Sequence, residues 1–141
     1  MRRLMLKSKI HRATLTGTEL GYEGSVTVDA GLLEKADILP GEQVHVLNVT
    51  TGARFITYSI PAPRGSGAVV LNGPAARLGE KGDTVIILSY SELADSEARK
   101  IEPKIVLVGP GNRPRENRRD GKPRDRGMLQ ARHGEPAGDQ E

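Results

Sequence analysis

Several short segments of this 141-residue chain hold residue types that can do chemistry. They are Lys9-Ile10-His11-Arg12, Tyr22-Glu23-Gly24-Ser25, Asn48-Val49-Thr50, Arg54-Phe55-Ile56-Thr57-Tyr58, Arg64-Gly65-Ser66-Gly67 and Asn72-Gly73-Pro74-Ala75. Ser25 offers a hydroxyl nucleophile directly after a glycine. Gly24, with no Cβ, can adopt a strained backbone that exposes its carbonyl. Tyr58 carries a phenol that holds its proton at neutral pH and can serve as a general acid. Arg54 can grip a carboxylate through two N–H groups, and Lys9 is a second cation. Strand alternation puts Arg54, Ile56 and Tyr58 on one face and Phe55, Thr57 and Ser59 on the other. Pro74 has no N–H, so in its loop only Gly73 and Ala75 can donate. Each feature also has a plainer reading. Gly-Ser is a common loop dipeptide, Tyr58 could be a wall residue whose hydroxyl reaches solvent, Lys9 and Arg54 could be solvated cations, and His11 could be a satisfied strand histidine.

Other chemistries lack support. The chain has no cysteine, which excludes disulfides, thiolate nucleophiles and cysteine metal sites. His11, His45 and His133 are far apart and in no metal-ligand spacing, so no metal is expected. There is no Walker loop, dinucleotide glycine motif, His-Glu-x-x-His or Gly-x-Ser-x-Gly. No run approaches membrane-spanning length. Lys7, Lys9 and His11 interrupt the apolar stretch that a secretion signal would need after Arg2 and Arg3. A cytoplasmic protein with no membrane partner is expected, and the sequon at Asn48-Val49-Thr50 then has no meaning.

The elements that must position these residues read as short strands. Residues 10–16 and 25–28 are rich in β-branched types, and Gly17, Gly21 and Gly24 mark a loop between them. Asp29 can cap a helix over 30–37. Gln43–Val49 and Arg54–Ile60 form strands joined at Thr50-Thr51-Gly52, and Pro61 and Pro63 end the second. Ala68–Leu71 is a strand, Ala75–Leu78 a helical turn, Thr84–Leu88 a buried strand, Ser91–Lys100 a capped helical turn and Ile105–Val108 a last strand. Many short strands with close Gly/Pro turns predict a small barrel or sandwich. Residues 109–141 contain no Val, Ile, Phe or Tyr and are rich in Gly and Pro. They cannot bury enough apolar surface to offset their conformational entropy, which predicts one domain over 1–108 and a disordered tail. The tail holds eight Arg/Lys and six Asp/Glu of a chain with net charge +3, and it has no aromatic residue to stack on bases. Specific nucleic-acid binding is not expected.

Taken in this order, the quoted segments resemble the pyruvoyl-dependent aspartate 1-decarboxylases. The resemblance spans residues 1–108 and includes the near-terminal opening, the Tyr-x-Gly-Ser cleavage segment, the Arg-x-x-Thr-Tyr strand and the Asn-Gly loop. It implies a six-stranded double-psi β-barrel with short helices. It implies self-cleavage between Gly24 and Ser25 into residues 1–24 and 25–141, with Ser25 converted to a covalent pyruvoyl group and neither metal nor pyridoxal phosphate required. That group forms a Schiff base with L-aspartate and acts as an electron sink for its conversion to β-alanine and CO2, a step in pantothenate biosynthesis. Carried over residue by residue, Tyr58 is the proton donor, and Lys9, Arg54, Thr57, Gly73, Pro74 and Ala75 contact substrate. Asn72 and Thr57 would stabilise the oxyanion formed when Ser25 attacks, and His11 and Tyr22 flank the site. The resemblance also implies a homotetramer with sites between protomers, and it admits a maturation factor as a partner. Leu47 departs from the aromatic residue that some members carry in the pocket wall.

Overall fold

The computed structural model describes residues 1–115, and every statement of structure below concerns these. The fold is mainly β, as expected. Eight strands are present: β1 (Arg2–Thr14), β2 (Gly17–Glu19), β3 (Ser25–Asp29), β4 (Gln43–Asn48), β5 (Arg54–Ala62), β6 (Val69–Asn72), β7 (Thr84–Ala94) and β8 (Lys104–Leu107). They pair in the order β2-β6-β3-β5-β4-β7-β1-β8. The wall returns on itself through the chain: β1 passes Leu15 and Thr16, which bond to Asp83 and Val69, and continues as β2 beside β6. Counting β1 and β2 as one stave, six staves surround the core and β8 adds to the outside of β1, an arrangement compatible with a closed barrel. The expected count of six becomes eight because β2 and β8 are separate short pieces.

The core is aliphatic. Ile10, Leu15, Val26, Val28, Val44, Val46, Val69, Leu71, Val85 and Ile87 are essentially inaccessible to solvent, and the half-buried Phe55 packs against them. Helix α1 (Ala30–Lys35) follows β3 and buries Leu32 and Leu33. Its cap is Asp29, whose Oδ1 accepts from Gly31 N at 2.7 Å and Gly65 N at 3.1 Å while Oδ2 accepts from Gly67 N at 2.9 Å. One carboxylate thus caps α1 and pins the Arg64–Gly67 turn. Asn48 has a similar structural role: its amide donates to Asp83 and to the Leu78 carbonyl, and its oxygen accepts from Thr50 N and Thr51 N.

Several expected boundaries move. The helix expected over Ser91–Lys100 shrinks to α2 (Asp95–Ala98), because β7 continues through Ala94 as partner to the first half of β1, with Arg2 opposite Ala94. Strand β5 passes through Pro61 to Ala62. Its ladder with β4 ends at Tyr58, so Pro61 has a strand neighbour on one side only and its missing N–H breaks no ladder. The described structure continues past residue 108. Gly109 N and Arg115 N bond to Arg113 O and Leu107 O, and buried Asn112 accepts from Thr14 N and donates to Thr14 O and Gly67 O. Polar bonds rather than apolar burial hold this segment, which is why composition misses it. The rest of the expected tail, 116–141, lies outside the described residues.

Candidate active site

The predicted site residues fall into two groups. The first surrounds Ser25, the opening residue of β3, which is fully buried. Its neighbour in the antiparallel ladder is Asn72, at the end of β6. Asn72 Nδ2 donates to Ser25 Oγ at 2.9 Å and to Thr27 Oγ1 at 2.8 Å, and Ser25 Oγ donates to the Glu23 carbonyl at 3.0 Å. Both Asn72 N–H groups are thus engaged by hydroxyls.

Gly73 explains how the 22–24 segment is held. Its φ is +63°, and a Cβ there would lie 2.6 Å from Tyr22 O and 2.7 Å from Gly24 N. Only glycine fits, both in backbone conformation and in space. A Cβ on Gly24 would lie 3.3 Å from Pro74 Cδ, a tight approach from the other side. Pro74 is exposed and Ala75 buried, at the start of a 3-10 helix spanning Gly73–Leu78.

Tyr58 joins this group through Glu23: its hydroxyl donates to Glu23 Oε1 at 3.0 Å. That bond, some loss of solvation, and the nearby Glu23 and Tyr22 hold the phenol above its ordinary value of 10. Val26 pairs with Ser59 on β5, which sets residue 25 close to Tyr58. The half-exposed Tyr22 ring is also near.

The second group lies on the outward face of β5, β4, β7 and β1. Lys9, Leu47, Arg54 and Tyr90 line one cleft of about 470 Å³ with apolar neighbours that include Leu6 and Leu88. Leu47 stands opposite Arg54, His45 opposite Ile56 and Leu88, and Lys9 opposite Leu88. Lys9 is largely buried, whereas Arg54 is exposed. Arg54 and Tyr58 share one face of β5, as alternation required, but their backbone positions are four strand steps, roughly 13 Å, apart. One chain therefore brings Ser25, Asn72, Gly73 and Tyr58 together, and brings Lys9 and Arg54 together, without merging the groups. Thr57 is on the opposite face of β5, across from Val44. His11 is buried on β1 beside Leu107 of β8.

Four residues near these groups received no site role from the sequence reading. Glu23 and Thr27 bond to Tyr58 and Asn72, and Thr27 could have been found because it shares a strand face with Ser25. His45 and Tyr90 meet Arg54, and only the register of β4 and β7 reveals that. Among the described residues, no group of three His, Asp or Glu side chains gathers where a metal could be held, and no helix is long and apolar enough to cross a membrane.

Comparison with known proteins identifies the family. The family profile described as "Aspartate decarboxylase" matches residues 1–115. A protein of Thermoanaerobacter pseudethanolicus named aspartate 1-decarboxylase is 53% identical over 114 residues, covering 81% of this chain and 97% of the relative. Proteins of the same name from Syntrophobacter fumaroxidans and Phenylobacterium zucineum are 54% identical over 114 residues and 55% identical over 108, covering 81% and 77% of this chain and 92% of each relative. A match over the whole described fold, at such identity, shows that the chain is a member of the aspartate decarboxylase family of enzymes.

Proposed function

We propose that this chain is a proenzyme that cuts itself between Gly24 and Ser25, converts Ser25 to a pyruvoyl group, and decarboxylates L-aspartate to β-alanine in the cytoplasm, for pantothenate synthesis. The observation that carries the reading is the environment of Ser25. A fully buried hydroxyl follows a glycine wedged against the Gly73-Pro74 turn, and it is held between the Glu23 carbonyl and the Asn72 amide.

In the cut, Ser25 Oγ adds to the Gly24 carbonyl carbon, and departure of the Ser25 nitrogen from that carbon turns the amide into an ester. Loss of the Ser25 Cα proton then expels the Gly24 carboxylate from Cβ and leaves a double bond at residue 25. Tautomerisation and hydrolysis place an oxygen on Cα and release ammonia. The residues present fit the product: Asn72 Nδ2 is positioned to donate to an oxygen on residue 25, and burial excludes bulk water. The pyruvoyl ketone, once formed, supplies a trap for the substrate amine and a sink for the electrons released as CO2 leaves.

Tyr58 holds a proton for the substrate carbon, and its bond to Glu23 favours the protonated phenol. Arg54 and Lys9 hold substrate carboxylates, with Gly73, Pro74 and Ala75 bordering the reacting end and Thr57, Tyr22 and His11 in support. Tyr58 is not among the residues that line the cleft of Arg54 and Lys9, so we place each site between neighbouring protomers of a homotetramer. One copy provides residue 25 and Tyr58, and its neighbour provides Arg54 and Lys9.

Denaturing mass spectrometry tests the reading. The wild-type chain should give fragments 1–24 and 25–141 with a pyruvoyl mass on the larger. Ser25→Ala should give one uncut chain and no β-alanine. A fully active Ser25→Ala protein would remove the proposal. A purified chain that stays whole until extract from its source cells is added would bring a maturation factor into the scheme.

A further inference from the structure

Arg54 does not stand alone over its cleft. Its Nη2 donates to Tyr90 Oη at 3.3 Å and lies 3.3 Å from His45 Nδ1. The two rings pack edge to face, with centroids 4.9 Å apart. They come from β4 and β7, the strands that flank the cleft between Arg54 and Lys9. A guanidinium can only donate, so His45 Nδ1 must be the acceptor and its proton must sit on Nε2. Using Nη2 for both partners leaves Nη1 and Nε for a ligand. A long exposed side chain otherwise loses considerable rotamer freedom when it grips a carboxylate. Two fixed acceptors remove part of that loss in advance.

We infer that His45 and Tyr90 are positioning residues for Arg54, holding its guanidinium over the cleft so that it meets a substrate carboxylate already oriented. The inference rests on the reading of Arg54 as a carboxylate-binding residue, and it adds the two residues that set its geometry. It also gives substrate capture a pH dependence. The groups facing His45 are Arg54 and Tyr58 from β5, Tyr90 and more distantly Glu92 from β7, and Lys9 from β1 beyond. Burial, and secondarily Arg54, push the imidazole below its ordinary value of 6.5. When it gains a proton at acid pH, Nδ1 becomes a donor, the bond is lost, and two cations face each other.

The test is steady-state kinetics with aspartate on the cleaved enzyme, comparing wild type with His45→Phe, Tyr90→Phe, the double variant and His45→Asn. His45→Phe keeps the ring contact and removes the acceptor. His45→Asn keeps an acceptor near the Nδ1 position but cannot titrate. The double variant should raise KM about tenfold with kcat within about twofold, and each single Phe variant about threefold. Wild-type KM should climb as pH falls below the ordinary imidazole value of 6.5, and His45→Asn should lose that climb while matching wild type near pH 8. A double variant with KM within twofold of wild type, or with reduced kcat at unchanged KM, overturns the inference. So does an acid limb that persists in His45→Asn. The extent of cleavage after Gly24 reports folding; where His45→Phe stays uncut, Tyr90→Phe and His45→Asn decide the matter. A wild-type protein that cuts itself but ignores aspartate would remove the functional reading instead.

Discussion

Gly73 is the residue near the site where one added methyl group does the most. Its positive φ and its approach to Tyr22 O and Gly24 N leave no room for a Cβ. Gly73→Ala must shift the turn or the 22–24 segment, and backbone strain of this kind costs of order 1–3 kcal/mol. The expected outcome is a less stable precursor, read by urea unfolding in an uncuttable Ser25→Ala background. In the otherwise wild-type chain, cleavage should slow, because Gly24 is part of what moves; mass spectra taken over time would show it. Normal stability and normal cleavage together would mean that the turn relaxes freely.

At the level of elements, Asp29 links three pieces: β3, which it ends, α1, which it caps, and the Arg64–Gly67 turn. Burial raises its pKa, but hydrogen bonds from Gly67, Gly31 and Gly65, aided by Arg113, outweigh that and leave it below the ordinary 3.8. A carboxyl whose folded pKa is depressed contributes stability that is present above its unfolded value and is lost as pH falls through the folded one. Wild-type stability should therefore decline below about pH 4. Asp29→Asn should cost about 1–3 kcal/mol at neutral pH and flatten that decline; urea midpoints across the acid range check both. This linkage was only half legible in the sequence. The cap was readable from Asp29 standing before Leu32 and Leu33, but the turn 36 residues away was not. Likewise, runs such as Val26–Val28 and Thr84–Leu88 announce strands, whereas the length of β7 depends on pairing with the start of the chain. Lys9, Ser25, Arg54, Tyr58 and Asn72 were legible by type and order. Their division into two groups, and the contacts of His45 and Tyr90 with Arg54, depend on cross-strand register, which no local pattern encodes.

On the scale of the whole molecule, the two groups on one chain make a sharp prediction about assembly. Tyr58→Phe and Arg54→Ala homo-oligomers should each be nearly inactive. If each site draws Tyr58 from one copy and Arg54 from its neighbour, co-assembly from equal amounts should restore about a quarter of the wild-type sites. Mixed assemblies, confirmed by differently tagged subunits, that recover no activity would place both groups in one protomer's site.

Strand β1 has a further consequence. It is paired on both sides, with β7 on one and β8 on the other, and its continuation β2 pairs with β6. A cut after Gly24 would thus free a peptide that is covalently independent yet woven into the wall on both sides. It could leave only by opening both ladders at once, which amounts to unfolding the domain. Maturation would then create two polypeptides whose exchange between molecules is governed by the global unfolding rate, so each mature molecule keeps the strand with which it was synthesised.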